Sequence, residues 1–532
     1  MAKQEIFARR EYLDILEKRI RDLKDGYRQN IAVIGDESVG KTSILFHLLS
    51  NFCDNRIIPV YLEARSESLD SFVKRFIGVL LYNFLINSSL VLQEDLDFLM
   101  SKASRFAPRT VAQARLVLLL LSRRKKVGVI PELFSLCEII NSETGKSCVV
   151  IIDEFHNLET LGVKNLYAQW CKVLISQKNT MFIITSSAKF KARNILSKNL
   201  SLLFGNFEVI TVEPFDIHTS EGFIEQRINQ AGVILEEGLK NFMVHFTGGS
   251  AFYLDLILQA HFKSPEVDLS DILTELLFDP AGALNQRFSN YLKRFLTHEH
   301  SSDYISIMHA VSLGHNKVRE IAHILHRPQK ELSQRISNLL EYDALSRNGD
   351  FYSLADRVFS FWLKFVYQEK LSSLTFDART QKEIFQANIA KTIQDFLVSS
   401  KKPVIERIQE LLRQFGDETI QIERKRLRLV HFREIKSLDF NKRNIREGLI
   451  CRAVDALWII ALKPDLIIED DVAEFAKECK KFRNKTQRKI IITYQGIDSN
   501  ARLRALEEKI FTWDLNNLNQ IFDCFSRPRV IA

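Results

Sequence analysis

No apolar run in this 532-residue sequence is long enough to cross a membrane. The longest runs, such as LVLLLLS after Arg115, fall far short of the ~20 residues that a bilayer-spanning helix needs, and charged residues flank them. The first residues, MAKQEIFARREYLDIL, lack the apolar core of a secretory signal. We therefore expect a soluble cytoplasmic protein that has no membrane partner.

Cysteine is sparse, and its pattern excludes the common cysteine-based sites. The seven cysteines are odd in number, and no two of them have the spacing of metal ligands. They are Cys53, Cys137, Cys148, Cys171, Cys451, Cys479 and Cys524. We expect buried free thiols in a reducing compartment.

Length and composition are those of a globular protein with several domains. The sequence is 46% hydrophobic and 26% charged, and 532 residues are enough for three or four cores. The net charge is +8, and from Lys402 onward 26 Lys and Arg against 20 Asp and Glu leave a surplus of six positive charges. Basic runs such as RKRLR from Arg424 and KKFRNKTQRK from Lys480 could follow a phosphate backbone. For such a run alone, a solvated helix face is the favoured interpretation.

A phosphate-binding turn is the strongest motif in the chain. NIAVIG has the pattern of a buried strand, KTSILFHLLSNF has helical apolar spacing, and between them lies a Gly-x-x-x-x-Gly-Lys-Thr turn. The two glycines allow backbone N–H groups to converge on one concavity, at the positive end of the following helix. The motif predicts that Lys41 reaches the β- and γ-phosphates and that the Thr42 hydroxyl ligates Mg²⁺. The predicted nucleotide-binding residues here are Gly35, Asp36, Glu37, Ser38, Val39, Gly40, Lys41, Thr42 and Ser43.

A second motif supplies the acids that a phosphate turn requires. In SCVVIIDEFHNL a continuous apolar run ends in Asp153 and Glu154, which is typical of a buried parallel strand. Because the carboxyl end of such a strand lies beside the phosphate turn, Asp153 is predicted to hold Mg²⁺ and Glu154 to polarise the attacking water. The pair forms a Walker A and Walker B set, and it favours hydrolysis over binding alone.

The remaining strands predict a parallel α/β sheet. RIIPVYLE from Arg56, TMFIITSSAKF from Thr180 and FEVITVEPF from Phe207 bring the total to five strands separated by helical stretches. The polar end of the second of these, Thr185-Ser186-Ser187, lies where a sensor hydroxyl would contact the γ-phosphate or the water. Ser187 is therefore a candidate catalytic residue, although a cap of the next helix would explain the same residues.

Six stretches, in this order, carry a family resemblance. They are FARREYLDIL (Phe7, Arg10, Glu11 and Leu13), GDESVGKTS, IIDEFHNL, SLLFGNFEVITVEPF, HFTGGSAFYLDLIL and FYSLADRVFSFWLKFVY. The sequence resembles the archaeal-type P-loop ATPases, a group in the signal-transduction (STAND) class of AAA-like NTPases that is related to origin-recognition ATPases. The resemblance covers about the first 370 residues. It implies ATP as the nucleotide, Mg²⁺ as the metal ion and a nucleotide-pocket role for Arg10, and the absence of a guanine-reading N-K-x-D motif agrees with adenine.

The sequence departs from the family pattern at several sites. Asn206 stands where the family has an arginine, so we expect slow or partner-assisted hydrolysis. Ala251 replaces the lid proline, Ser186 the glycine before the sensor serine, and Arg357 the proline after the retained Asp356. His156 stands where glutamine is usual. A neighbouring subunit or partner could supply the missing charge, and the basic residues after the sensor strand are also candidates, namely Lys189, Lys191 and Arg193.

The middle of the chain is predicted to be helical. We expect an ATPase domain at 1–215 and a helical lid at 216–300, whose first helix Thr219 or Ser220 would cap. Three helical stretches and an Asn-Gly-Asp turn at 348–350 predict a winged helix at 301–375. Its third helix carries Lys330, Gln334, Arg335 and Asn338, which would either enter the major groove of DNA or belong to a packing module. A polar helical connector is expected at 376–403.

The last segment, 404–532, alternates strands and helices and resembles a restriction-endonuclease-type domain. That fold holds its metal ion with carboxylates on a strand written (D/E)-x-K, but here the strand reads Ala461-Leu462-Lys463. Asp455, Asp470 and Asp471 lie outside the expected place, so we expect no nuclease activity.

Together these patterns favour a Mg-ATP-dependent molecular switch that acts on or with double-stranded DNA. Two alternatives remain: a regulatory NTPase with only protein partners, a homo-oligomer among them, and a nucleotide-gated nuclease.

Overall fold

The computed structural model describes most of the chain, namely residues 6–51, 54–86, 92–123, 128–201, 207–296, 301–367, 377–423, 425–440, 445, 447–482 and 487–531. The chain divides into two compact units, Met1–Pro214 and Phe215–Ala532, called the first and second units below. Within the described ranges, no helix combines the length and apolar character that crossing a bilayer demands. The six described cysteines are free thiols, and Cys53 lies outside the described residues.

The first unit is built on a five-stranded sheet in the order β2-β3-β4-β1-β5. All four strand pairs are parallel, which confirms the predicted α/β fold. The strands are β1 (Asn30–Gly35), β2 (Ile57–Glu63), β3 (Ser147–Asp153), β4 (Thr180–Ser186) and β5 (Phe207–Val212). β1 is buried along its whole length and β3 along all but its first residue, as their continuous apolar sequences require. Strand β4 lies between β1 and β3 and is parallel to both. The phosphate turn after β1 and the acidic residues at the end of β3 therefore lie at the same edge of the sheet.

Helices cover both faces of this sheet. They are α1 (Arg10–Lys24), α2 (Lys41–Asn51), α3 (Leu69–Leu85), α4 (Leu96–Ala103), α5 (Pro108–Ser122), α6 (Val129–Thr144), α7 (Leu166–Ser176) and α8 (Lys189–Lys198), with a 3₁₀ turn at Phe155–Leu161. Helix α1 packs through Leu13, Leu16, Ile20 and Leu23, a spacing that places all four on one helical face. With α2 they form the core on one side of the sheet, and α3–α8 contribute to the larger core on the other.

The second unit begins with five helices, in the segment that the sequence predicts to be helical. They are α9 (Ile217–Ala231), α10 (Glu237–Thr247), α11 (Ala251–Lys263), α12 (Leu269–Leu277) and α13 (Ala283–Leu296). The predicted cap of α9 was wrong. The helix starts three residues earlier, where the Asp216 carboxylate accepts a hydrogen bond from the Thr219 N–H at 2.7 Å.

Three helices and an antiparallel hairpin follow, in the order predicted for a winged helix. They are α14 (Ser301–Ser312), α15 (Val318–Leu325), α16 (Gln329–Glu341), β6 (Leu345–Asn348) and β7 (Phe351–Leu354). Gly349 in the hairpin turn has a φ of +63°, and a Cβ there would lie 1.9 Å from the Thr419 carbonyl oxygen. This turn therefore requires glycine both for its backbone angle and for its close approach to residue 419.

Arg357, one of the departures from the family pattern, has a defined role in packing. It begins α17 (Arg357–Trp362), and its Nη1 lies 2.5 Å from the Asp523 carboxylate near the end of the chain. Arg529 binds the same carboxylate at 2.7 Å. Although burial opposes it, these two guanidinium groups lower the pKa of Asp523. A proline at 357 could not form this half-buried ion pair.

The predicted polar connector is a packed helix, α18 (Ala378–Ser400). It buries an apolar stripe made of Phe385, Ile389, Ile393 and Phe396. Phe385 stacks on Phe278, and Phe396 packs edge-to-face on Phe242. The helix is therefore part of the core around the helices of residues 217–296.

The C-terminal part has a hairpin and a second five-stranded sheet. The elements are α19 (Val404–Leu412), β8 (Glu418–Ile422), β9 (Lys425–Leu429), β10 (Glu434–Asp439), β11 (Glu447–Arg452), β12 (Leu457–Lys463), α20 (Glu469–Cys479), β13 (Gln487–Thr493), α21 (Ser499–Glu507), β14 (Ile510–Trp513) and α22 (Leu515–Cys524). In the sheet, β10 to β12 are antiparallel and β12 to β14 are parallel. From Lys463 onward, the order of strands and helices is the predicted one. The basic runs near 424 and 483–486 lie partly outside the described residues.

Candidate nucleotide-binding site

The turn between β1 and α2 has the backbone of a phosphate cradle. A Cβ at Gly35 would lie 2.4 Å from the Val212 carbonyl oxygen, so only glycine fits there. Gly40 has a φ of +98° and Ser38 a φ of +64°, angles that curl the turn back over the start of α2. Of the other predicted turn residues, Val39 is buried in the core, Asp36 is half-buried, and Glu37 and Ser43 are exposed.

Lys41 lies inside this turn and is 4% exposed. Its Nζ donates hydrogen bonds to the carbonyl oxygens of Gly35 at 3.0 Å and Asp36 at 2.8 Å. Burial lowers its pKa, and the nearby carboxylates of Glu154 and Asp153 oppose that shift. The ammonium group is thus held by neutral acceptors, which a phosphate oxygen can replace with a stronger bond.

Asp153 binds the Thr42 side chain directly. The Thr42 hydroxyl donates to Asp153 Oδ2 at 2.8 Å, and the Tyr61 hydroxyl donates to the same oxygen at 3.0 Å. The Thr185 hydroxyl donates to Oδ1. A buried carboxylate beside a hydroxyl is the oxygen donor set that Mg²⁺ prefers, so these residues fit the predicted metal ion.

Glu154 and Ser187 are also brought together. The backbone N–H and the hydroxyl of Ser187 both donate to Glu154 Oε2, each at 2.8 Å. The other carboxylate oxygen lies 3.9 Å from Lys41 Nζ. Burial raises the pKa of Glu154, although the bonds from Ser187 and the charge of Lys41 act against it. The shift makes this carboxylate a better proton acceptor.

Two departures from the family pattern meet beside this carboxylate. His156 Nδ1 lies 2.9 Å from Ser186 Oγ and 3.3 Å from Glu154 Oε2. Sequence reasoning noted His156 and Ser186 as separate substitutions. The structure shows that the two side chains contact each other and that His156 also contacts the candidate base.

The arginine next to the phosphate turn is Arg9 and not the predicted Arg10. Arg9 is buried, and its Nη2 donates to the carbonyl oxygens of Val39 at 3.1 Å and Glu213 at 2.8 Å. Arg10 points to solvent and pairs with Asp14 at 2.9 Å. The helical period could have found this residue, because Arg9 lies on the same face as Leu13 and Leu16.

Tyr61 is the site residue that sequence reasoning missed. It lies on β2 among apolar residues, where a tyrosine is usually interpreted as a residue of the hydrophobic core. Burial raises the pKa of its hydroxyl, which therefore stays protonated and donates to Asp153. An aromatic residue two positions before the carboxyl end of an edge strand was the only available signal.

Two of the three basic residues after the sensor strand are bound to acids. Lys189 Nζ lies 2.6 Å from Asp36 Oδ1 in the phosphate turn, and Lys191 Nζ lies 2.7 Å from Glu159. Arg193 is exposed. The predicted departure at Asn206 lies outside the described residues.

A second buried lysine, in the second unit, marks the nuclease-like strand. Lys463 Nζ lies 3.0 Å from Asp471 Oδ2, and both residues are buried. Asp455 is exposed and lies 3.6 Å from Arg428. Among the described residues no group of three or more His, Cys, Asp or Glu could hold a metal ion.

The part of the chain that contains the phosphate turn is similar to a known protein family. Residues 7–257 match a family described as an ATPase domain found predominantly in Archaea. Over these residues the chain is similar to that family of ATPase domains.

Solved structures of low sequence identity also resemble the chain. A Walker-type ATPase of Pyrococcus abyssi is 21% identical, with a TM-score of 0.47 over 67% of this chain and 96% of that one. The ORC2 protein of Aeropyrum pernix in ADPNP–ADP complexes is 10% identical, with a TM-score of 0.40 over 74% and 96% of the two chains. The ORC1 protein of the same organism, in complex with DNA, is 14% identical, with a TM-score of 0.36 over 68% and 92%. No curated protein matches the sequence.

Proposed function

We propose that the protein is an ATP-binding molecular switch that hydrolyses ATP slowly and acts on DNA. One observation carries the nucleotide part of the proposal. Lys41, Thr42, Asp153 and Glu154 meet at one edge of a buried parallel sheet, around a turn that only glycine can form at residue 35.

Each of these residues has a distinct task. Lys41 binds the β- and γ-phosphates, and Thr42 with Asp153 would hold Mg²⁺. The bound metal ion supplies positive charge that stabilises the transferred phosphoryl group. Glu154 accepts a proton from the attacking water, and Ser187 keeps its carboxylate in place through two hydrogen bonds.

Slow turnover follows from the charges around the γ-phosphate. Arginine fingers raise hydrolysis rates by about 10³–10⁵, and the sequence has Asn206 where the family has its arginine. We therefore expect tight binding with a low basal rate, and acceleration when a partner or a second copy supplies a cation.

Hydrogen–deuterium exchange would test the switch. With a non-hydrolysable ATP analogue and with ADP in turn, exchange should differ in the phosphate turn and in residues 216–300. Identical exchange in the two nucleotide states, at saturation of both, would contradict the switch while leaving ATP binding intact.

Duplex DNA is proposed as the partner of helix α16. Lys330 and Gln334 are exposed on this helix. The other two predicted DNA-contacting residues are engaged within the chain, since Arg335 lies 3.7 Å from Asp303 and Asn338 donates to the Tyr304 hydroxyl at 2.8 Å. The proposed DNA contact therefore rests on two of the four predicted side chains, Lys330 and Gln334.

A gel-shift series with duplex DNA at increasing salt would test this contact. Neutralising a phosphate contact lowers the slope of log K against log salt by about one, so Lys330→Ala should weaken binding and flatten the dependence. Lys401→Ala, at another exposed lysine, is the matched control. No shift of duplex DNA by the wild type at low salt would contradict the proposal.

A protein-only switch is the second candidate, and one observation favours it. The hairpin turn of the winged-helix segment is hydrogen-bonded to strand β8. The Asp350 N–H donates to the Thr419 carbonyl at 2.9 Å, the Thr419 N–H donates back to Asp350 Oδ2 at 2.8 Å, and the Gln421 N–H donates to Asn348 Oδ1 at 2.6 Å. A wing that is engaged in this way is typical of a packing module. Absence of DNA binding would decide for this candidate.

A further inference from the structure

We propose that Lys189 is a second phosphate-binding cation of the ATP site. In this proposal Asp36 holds the Lys189 ammonium beside the phosphate turn, and the γ-phosphate of ATP takes the ammonium over. The inference rests on the proposed nucleotide function and deepens it, because it names the group that distinguishes ATP from ADP.

Asp36 is the residue that joins the two lysines. It follows Gly35 in the phosphate turn, its carbonyl oxygen accepts from Lys41 Nζ at 2.8 Å, and its carboxylate Oδ1 lies 2.6 Å from Lys189 Nζ. The two ammonium groups are thus bound to opposite ends of one small residue. A triphosphate held by Lys41 would have its negative charge within the reach of the flexible Lys189 side chain.

The backbone places Lys189 with the groups that face the transferred phosphate. It is the first residue of α8, two residues after Ser187, whose N–H and hydroxyl hold the Glu154 carboxylate. The sensor strand therefore ends in a short segment that carries both the residue holding the base and the second lysine.

The charge of Asp36 needs such a partner. A carboxylate in a turn that binds anions repels a triphosphate unless a cation compensates it. The pair is partly open to solvent, since the two side chains are 28% and 34% exposed, and exposed ion pairs are weak enough to exchange partners. A γ-phosphate offers more negative charge and more acceptor oxygens than one carboxylate does, so it should win the ammonium group.

Lys189 would thereby replace, within the same chain, part of the charge that the family arginine provides. Its contribution should be large for ATP and small for ADP, because ADP has no γ-phosphate.

The test measures equilibrium binding of a non-hydrolysable ATP analogue and of ADP, with Mg²⁺, by titration calorimetry. Lys189→Ala should lose about 10-fold in affinity for the ATP analogue, as expected for a charged hydrogen bond, and less than about 2-fold for ADP. Lys191→Ala, in the same helix but paired with Glu159, is the matched control and should bind both nucleotides as the wild type does. Lys189→Arg should restore most of the lost affinity.

Asp36→Asn provides an independent readout. It keeps the size of the side chain but frees Lys189, so affinity for the ATP analogue should rise more than affinity for ADP. In the background of Lys189→Ala, that extra gain for ATP should shrink. Melting temperatures of all variants would show that each is folded.

Three results would overturn the proposal. In the first, Lys189→Ala binds the ATP analogue as tightly as Lys191→Ala does, while Lys41→Ala binds no ATP analogue. The proposed nucleotide function would then stand, and the role of Lys189 would fail. Equal losses for ATP and ADP would remove the γ-phosphate specificity. If the wild type binds no adenine nucleotide, the proposed function and this inference fail together.

Discussion

Each unit of the molecule contains a buried lysine near the end of a buried strand, but the two lysines have different partners. Lys41 in the first unit is hydrogen-bonded to two carbonyl oxygens, and the nearest carboxylate oxygen, that of Glu154, is 3.9 Å away. Lys463 in the second unit is paired directly with Asp471 at 3.0 Å. A lysine held by neutral acceptors can bind an incoming anion, whereas one neutralised by a buried carboxylate cannot do so without breaking the pair. What distinguishes the candidate active site from the structural lysine site is therefore the group that binds the lysine: carbonyl oxygens at Lys41 and a carboxylate at Lys463.

The first prediction tests the binding lysine. Lys41→Ala should abolish nucleotide binding, with a loss of at least about 100-fold, because charged hydrogen bonds to two phosphates disappear together. Titration calorimetry with Mg-ATP measures the effect. Lys463→Met is the matched control, since it removes the other buried lysine and should leave ATP affinity unchanged. A Lys41→Ala variant that binds ATP normally would remove the distinction between the two lysines.

The second prediction separates binding from turnover at the first site. Glu154→Gln should lower the hydrolysis rate by about 10²–10⁴ while ATP stays bound, because the amide keeps the shape of the side chain and cannot accept the proton. Phosphate release measures the rate, and filter binding measures the retained nucleotide. Hydrolysis at the wild-type rate would mean that another group accepts the proton.

The third prediction concerns the structural lysine. Lys463→Ala leaves the Asp471 carboxylate buried without its cation, which should cost about 3–5 kcal/mol in the stability of the C-terminal sheet. Thermal unfolding followed by tryptophan fluorescence reports on it, because Trp458 and Trp513 lie in that sheet. The double variant Lys463→Ala/Asp471→Ala should recover part of the loss.

The wild type and the Lys463→Ala variant together also test whether the C-terminal sheet carries a nuclease site. With Lys463 neutralised by Asp471, we expect no metal-dependent cleavage of plasmid DNA. Cleavage by the wild type that Lys463→Ala abolishes would show that both lysines serve active sites.

The fourth and smallest effect is a shift in the pH profile of hydrolysis. Glu154 must be ionised to accept a proton, and burial raises its pKa, so activity should fall on acidification at a higher pH than for an ordinary glutamate. The Ser187 hydroxyl bond favours the ionised form. Ser187→Ala should therefore move the acidic limb to still higher pH, which steady-state rates across a buffer series would measure. An unmoved limb would show that Ser187 does not tune Glu154.

Sequence was most informative where one local pattern has one physical cause. Strands β1 and β3 and the turn after β1 follow from continuous apolar runs and from spaced glycines, and the structure has them as predicted. The order of strands and helices after Lys463 follows in the same way from alternating patterns.

Sequence was least informative where distant residues meet. The pairing of Lys463 with Asp471 crosses a loop, and a search for a carboxylate two residues before the lysine cannot find it. Tyr61 reaches Asp153 only because β2 and β3 are neighbours in the sheet. Arg10 was chosen by family spacing, whereas the buried face of the helix selects Arg9.

The bonded hairpin turn at Gly349 has a mechanical consequence. The Asp350 N–H donates to the Thr419 carbonyl oxygen and the Thr419 N–H donates back to the Asp350 carboxylate, so these two bonds join the β6–β7 hairpin to the β8–β9 hairpin. Because the two hairpins are joined, a displacement of helix α16 and the β6–β7 hairpin should move the β8–β9 hairpin with them. A Cβ at residue 349 would collide with the Thr419 carbonyl oxygen and force the two hairpins apart, so this coupling depends on glycine at that position.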